Sequence, residues 1–343
     1  MTYDSLHALR GALLLAAVCA LAGCPETAPP DPPPADGTWA VAFDATDRGW
    51  LLDVWGSAGD DLYAVGGTPE EGSIHHFNGA TWQLLELGVD VPLLNWVHGF
   101  GAEDITFVGN AGTAVHFDGA SFTVQDTPTD QALWGVWGAS PDDLWAAGGD
   151  GRSDSVATLL HFDGSSWEQV ALPTLQKANV HAFFKVWGVD ADNVWVVGQR
   201  GVVLRYDGSS WTEELVGASD DLVSIWGTDA SHVFAVGGRN NGIVSAWDGT
   251  QWRTQSLAPL QGLNGVFTRT PEVVHVVGQT GTIARLDGGS LEVLDQSMQD
   301  TPLDLHAVFG DDDGRLTAVG GSLATLDPPH VGIALTRELE GDE

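Results

Sequence analysis

Cations are scarce in this chain: 13 Lys and Arg stand against 47 Asp and Glu, for a formal net charge of −34. Where they occur they are therefore informative. Arg152, Arg200 and Arg239 recur at related places of a repeat, Lys177 and His181 share one long connection, and Lys185 follows a few residues later. A guanidinium forks onto a carboxylate, and ammonium or imidazolium groups add point charge. Brought together, these six residues would recognise an anion, either an acidic peptide or a carboxylated sugar.

The acids are too many to single out in the same way. Asp60-Asp61, Glu103-Asp104, Asp142-Asp143, Asp192-Asn193 and Asp311-Asp312-Asp313 fall in short turns, as do Asp118, Asp163, Asp207, Asp248 and Asp287. Clustered carboxylates bind calcium when their spacing suits the ion. None of these runs has such spacing, so turn chemistry and solubility account for them and no metal is expected. His76, His116 and His161 each precede a turn Asn or Asp by two residues, where other units carry Arg205 or Arg285. Spread over separate units, they cannot make one compact metal site.

Other chemistries find less support. The two cysteines, Cys19 and Cys24, lie near the N-terminus, so the rest of the chain has neither a disulfide nor a reactive thiol. Tyr63 and Tyr206 fill repeat positions and leave no tyrosine for a sialidase-like nucleophile, and no Gly-x-Ser-x-Gly elbow is present. A carboxylate-pair glycosidase stays open, because acids are everywhere. Nucleic acid is excluded by the missing basic footprint. We therefore expect a monomeric, non-enzymatic binding or scaffold module without a cofactor, with a glycan hydrolase or lyase as the alternative.

The elements that must position these groups are repeats. A fourteen-residue core aligns without a gap seven times, from VWGSAGDDLYAVGG at Val54 to VFGDDDGRLTAVGG at Val308, with successive starts 43, 39, 50, 39, 41 and 42 residues apart. Strand-like units at this period are the four-stranded blades of a propeller. An aromatic-(Asn/Asp)-Gly-x-x-aromatic turn trails most cores, as in FNGATW at Phe77 and FDGSSW at Phe162. Here the Asn or Asp side chain accepts backbone N–H groups and Gly permits positive φ. Trp55, Trp137, Trp187 and Trp226 share one repeat position with His98, Phe267 and Phe309, which marks them as packing residues and not as a sugar platform. The seventh unit lacks its trailing turn, and the missing piece stands at the start of the domain as Asp36-Gly-Thr-Trp39. The expected fold is all-β: a seven-bladed β-propeller over 37–343, its last blade completed by a strand from residues 37–44.

The N-terminus reads differently. Arg10 precedes the apolar run Gly11–Ala20, too short to span a bilayer, and Leu21-Ala-Gly-Cys24 resembles the bacterial lipobox. That resemblance implies a signal peptide over 1–23 and a lipid on Cys24. Residues 24–36 follow as a stiff linker, with six prolines among residues 25–35. The expected place is the cell envelope, held by the lipid to the outer membrane and facing the periplasm or the exterior, with an envelope protein or anionic glycan as partner. The turn motif resembles the Asp-box of sialidase-type propellers. The VWG…AVG core resembles the repeats of bacterial extracytoplasmic propeller lipoproteins and of propeller assembly factors acting on membrane complexes. Both resemblances imply the fold and not an activity, because such repeats build blades in proteins of many roles.

Overall fold

The computed structural model of the chain describes residues 38–299, 301–312 and 314–338. The expected leader at 1–23, Cys24 and the linker over 24–36 lie outside the described residues. Within them the chain forms seven four-stranded antiparallel sheets. Blades one to six occupy residues 50–84, 94–125, 133–169, 183–214, 222–261 and 263–298. Blade seven takes Asp304–Gly310, Arg315–Gly321 and Gly332–Glu338, and its fourth strand is Ala40–Val41 from the other end of the chain. Ala40 pairs with Thr336 and Val41 with Leu335, while the Ala42 amide donates to the Ala334 carbonyl at 2.9 Å. The closing strand is thus where the repeat arithmetic puts it, although only two residues long. Closure leaves the ring with no open seam at which another chain could pair.

The first strand of each blade stands next to the axis, and neighbouring first strands touch one another around it. Second strands such as Asn193–Gly198 are apolar at consecutive positions and buried along almost their whole length. Both faces of each blade are covered by its neighbours, so alternation is lost.

The V-W-G signature has a packing cause. Its aromatic residues form an annulus around the axis, with centroids 6.4 Å apart for Trp55–His98, 6.2 Å for His98–Trp137, 6.3 Å for Trp187–Trp226 and 5.4 Å for Trp226–Phe267. Four of the rings lie over the glycine of the next blade. A Cβ on Gly99 would stand 2.6 Å from Trp55, and one on Gly188 2.7 Å from Trp137. Gly227 seats Trp187 and Gly310 seats Phe267 in the same way. In blade six Thr268 replaces the glycine, and Trp226 instead donates its indole N–H to the Thr268 carbonyl at 3.2 Å.

A bulge precedes this signature in every blade, skipping Leu52, Asn95, Trp134, Phe184, Val223, Asn264 and His306 in turn. A bulge leaves backbone groups without their ladder partners, and such groups need others when buried. Side chains from adjacent blades supply them. Asn95 Nδ2 donates to the Leu133 carbonyl at 2.9 Å and Asn264 Nδ2 to that of Leu305 at 3.0 Å. His306 Nδ1 meets the Leu52 carbonyl at 2.6 Å across the closing seam.

Candidate ligand-binding cleft

Strand direction alternates, so the first-to-second and third-to-fourth turns share one face of the disc. The other loops share the opposite face. There, a cleft of about 550 Å³ opens between blades three, four and five, lined by His181, Arg200, Arg239, Asn179, Asp220 and Asp221. Arg200 is the middle residue of a one-turn 3₁₀ segment, Gln199–Gly201, and takes a left-handed backbone with φ 59°. The same turn recurs as Asn110–Gly112 and Gln279–Gly281, with Ala111 and Thr280 in that place. In the blade-four turn the Arg200 amide donates to Asp221 Oδ1 at 2.8 Å, and the equivalent Thr280 amide to Asp304 Oδ1 at 2.9 Å. An acid at the entrance to the next blade therefore pins the turn and turns its middle side chain outward.

The six expected cations divide. Arg200, Arg239 and His181 come together in the cleft. Lys177 lies beneath it, its Nζ donating to the Arg200 carbonyl at 2.6 Å and to the Ala218 carbonyl. Burial lowers the Lys177 pKa, and the nearby Glu213 carboxylate opposes that shift. Arg152 stands beside the cleft, its side chain 73 % exposed and paired with Asp150 at 2.9 Å. Lys185 is elsewhere, which corrects the expectation for that residue. It lies within the first strand of blade four, follows the bulge at Phe184, and turns into the axial core, where it is 2 % exposed. Its Nζ donates to the Trp134 carbonyl at 2.6 Å and sits 3.6 Å from the Trp96 ring centroid. Burial pulls the Lys185 pKa down to about 7, with Asp53 holding it up. Asp53, also buried, is pushed well above the usual carboxylate range by desolvation, against the pull of Lys185.

The acids of the cleft are spent on its own framework. Asp221 is ion-paired with the Arg239 guanidinium as well as holding the Arg200 amide. Asp220 accepts the Arg239 amide at 2.8 Å and the Asp221 amide at 2.9 Å. Arg200 donates through Nε to the Asn179 carbonyl at 3.2 Å, and among the described residues no carboxylate meets its terminal nitrogens. His181 turns Nδ1 to the Ser155 carbonyl at 3.0 Å, and Nε2 has no partner among the described residues. Asn179, Asp220 and Asp221 escaped the sequence reading. The Asp-Asp pair directly before the Leu222 strand was the available signal, because most other blades enter their first strand through uncharged residues.

The opposite face carries the acidic turns. His76 pairs with Asp61 at 2.6 Å, His116 with Asp104 at 3.1 Å and His161 with Asp143 at 2.7 Å, each within its own blade. The turn acids are held ionised by hydrogen bonds: Asp163 and Asp248 are drawn down to about 2 by the Ser165 and Thr250 hydroxyls and by backbone amides. Among the described residues, no three His, Cys, Asp or Glu side chains converge as a metal ion would need.

These features define the class: the chain is a seven-bladed β-propeller with an arginine-bearing polar cleft on one face. No family model and no curated protein matches the sequence. Solved structures do match in fold. YCF48 bound to D1 peptide is 15 % identical at a TM-score of 0.62, the match covering 88 % of this chain and 97 % of that one. YCF48 from Cyanidioschyzon merolae is 13 % identical at 0.63, covering 88 % and 98 %. The WD40 repeats of RRP9 are 11 % identical at 0.71, covering 90 % and 99 %.

Proposed function

We propose that this propeller is a non-enzymatic binding module whose cleft between blades three and five holds a carboxylate-bearing segment of a protein partner. The observation that carries the reading is the Arg200 guanidinium, whose terminal nitrogens meet no carboxylate among the described residues. Every nearby acid is engaged by the framework, in a chain where acids outnumber cations more than threefold. A ligand carboxylate supplies the bidentate partner that the cleft lacks, with His181 and Arg239 beside it. The likeness in fold to YCF48 bound to D1 peptide supports a peptide as the ligand class. The lipobox-like Leu21–Cys24 supports an envelope setting, with the module held to the outer membrane through acylated Cys24 and its partner an envelope protein.

Titration of the full chain with a fluorescent Asp- and Glu-rich peptide and with glucuronate oligosaccharides tests this. The peptide is expected to bind, and Arg200→Ala to weaken it about tenfold, or 1.4 kcal/mol, with Arg152→Ala nearly neutral. Unchanged binding in Arg200→Ala, or turnover of an oligosaccharide by the native chain, would overturn the reading. Release of the protein from the membrane fraction by Cys24→Ala tests the anchor.

A further inference from the structure

A second cleft, of about 1140 Å³, lies on the same face but over blade one. Its walls carry the carboxylates of Asp47, Glu70, Glu71, Glu86 and Asp90, none ion-paired among the described residues, and a single cation, Arg48. Acidity alone would mean little in this chain. The cleft also holds His75, which is 2 % exposed and whose two ring nitrogens both lack a hydrogen-bond partner, and the buried, unpartnered hydroxyl of Ser73.

His75 is out of place by the standard of its own repeat. The equivalent third-strand position is Val115, Leu160, Leu204, Ala284 and Leu335 in five other blades. In the remaining one it is Ser245, whose hydroxyl is bonded to that of Thr254 at 2.7 Å. The fold therefore asks for an apolar or satisfied residue here, and an unsatisfied polar group in a core costs stability. Departures of this kind mark sites that serve something other than the fold.

We propose that this cleft is a second recognition site, which takes a basic peptide segment. The lysine or arginine side chains of the segment pair with the cleft carboxylates, and one of its N–H groups donates to the His75 imidazole. The chemistry is one-sided: five carboxylates, a hydroxyl and an imidazole accept, and Arg48 alone is a strong donor, suited to a carbonyl of the bound backbone. Burial and the neighbouring Arg48 charge hold the His75 pKa down at about 4, which leaves its lone pair available at neutral pH. Size separates a peptide from a small amine, since sites for drug-sized ligands run to about 300–1000 Å³ and this cleft exceeds that range.

The test is fluorescence anisotropy of the full chain with a fluorescein-labelled Lys-Arg-Lys-Arg peptide, with spermidine as competitor. Combined Glu70→Gln, Glu71→Gln, Glu86→Gln and Asp90→Asn is expected to weaken binding about tenfold. His75→Leu, the residue that blades three and four carry there, should fold normally and weaken it severalfold. The matched set Asp60→Asn, Asp142→Asn, Asp192→Asn and Asp312→Asn on the opposite face should leave binding unchanged. In histidine-labelled NMR the His75 ring signals should move with the peptide. Equal losses from both charge sets would reduce the effect to general attraction by an acidic chain and overturn the site. Competition by spermidine as strong as by unlabelled peptide would overturn the peptide as occupant, and fixed His75 signals would overturn its role. Arg200→Ala should not alter this binding, so failure here and failure of the carboxylate cleft are separate results.

Discussion

The ammonium of Lys185, from blade four, sits 3.6 Å over the ring of Trp96, from blade two, and on its way donates to the Trp134 carbonyl of blade three. One side chain thus spans three blades at the axis. Asp53, in blade one, completes the balance from a distance: each of the two shifts the pKa of the other toward its charged form.

Lys185→Ala should destabilise the protein by about 3–5 kcal/mol, because it opens a cavity, orphans the Trp134 carbonyl and leaves Asp53 uncompensated. Lys185→Met keeps the volume and should cost less. Adding Asp53→Asn to Lys185→Met should recover part of the loss, with a coupling above about 1 kcal/mol in a double-mutant cycle. Urea unfolding at neutral pH measures these variants together with Asp53→Asn alone, and strict additivity would show that the two charges do not act together.

The glycine after the aromatic residue is a seat and not a hinge. Gly188→Ala should destabilise by about 1–3 kcal/mol, since the new methyl meets Trp137 at 2.7 Å and the Asn193 carbonyl at 2.8 Å. Gly101→Ala, at a position with nothing within 4 Å, is the control and should be nearly neutral. Equal melting temperatures for the two variants would refute the packing account of the V-W-G signature.

The blades, their number and the closing strand could be read from the chain because each depends on a pattern repeated seven times, and a repeat averages out local accidents. Single departures were harder. Lys185 stood near Lys177 and His181 in sequence, and nothing in that spacing says that the bulge at Phe184 turns it to the axis. His75 was masked by His76, which fits the recurring histidine of His116 and His161. The difference appears only when the strands are laid in register, His76 opposite Tyr63 and His75 opposite Ala64. Arg200 was found as a cation, but its freedom depends on Asp221, at the entrance to blade five, being engaged by Arg239 from the same blade, a contact that no local motif encodes.

Acid should loosen the ring. Burial holds His75, His98 and His275 at about 4 and His306 at about 3, well below 6.5. Between those values the unfolded chain binds protons that the native state refuses, so stability falls as pH drops from 6.5 towards 4, by about 1.4 kcal/mol per pH unit for each such group. Urea midpoints measured across this window should decline, and His75→Leu with His275→Leu should make the decline shallower, with His98 and His306 carrying the rest. An unchanged slope in the double variant would assign the acid response to other groups.

The closing strand holds the seam with few contacts, which makes it a sensitive place to test the architecture. Among the described residues, Ala40 and Val41 pair with the last strand, the Ala42 amide adds one bond to Ala334, and Phe43 packs on Trp82 and His75 with centroids 4.9 and 5.4 Å apart. Ala42→Pro removes that amide, and Phe43→Ala removes the aromatic contact over blade one. Each is expected to cost about 1–3 kcal/mol. The more specific expectation concerns where the loss appears. Amide exchange should rise along Gly332–Glu338, whose outer edge the closing strand covers, while Asn193–Gly198 in blade four keeps its protection until global unfolding. Uniform acceleration throughout would mean that the ring opens only as a whole. No change along Gly332–Glu338 would mean that residues 40–43 do not hold the seam.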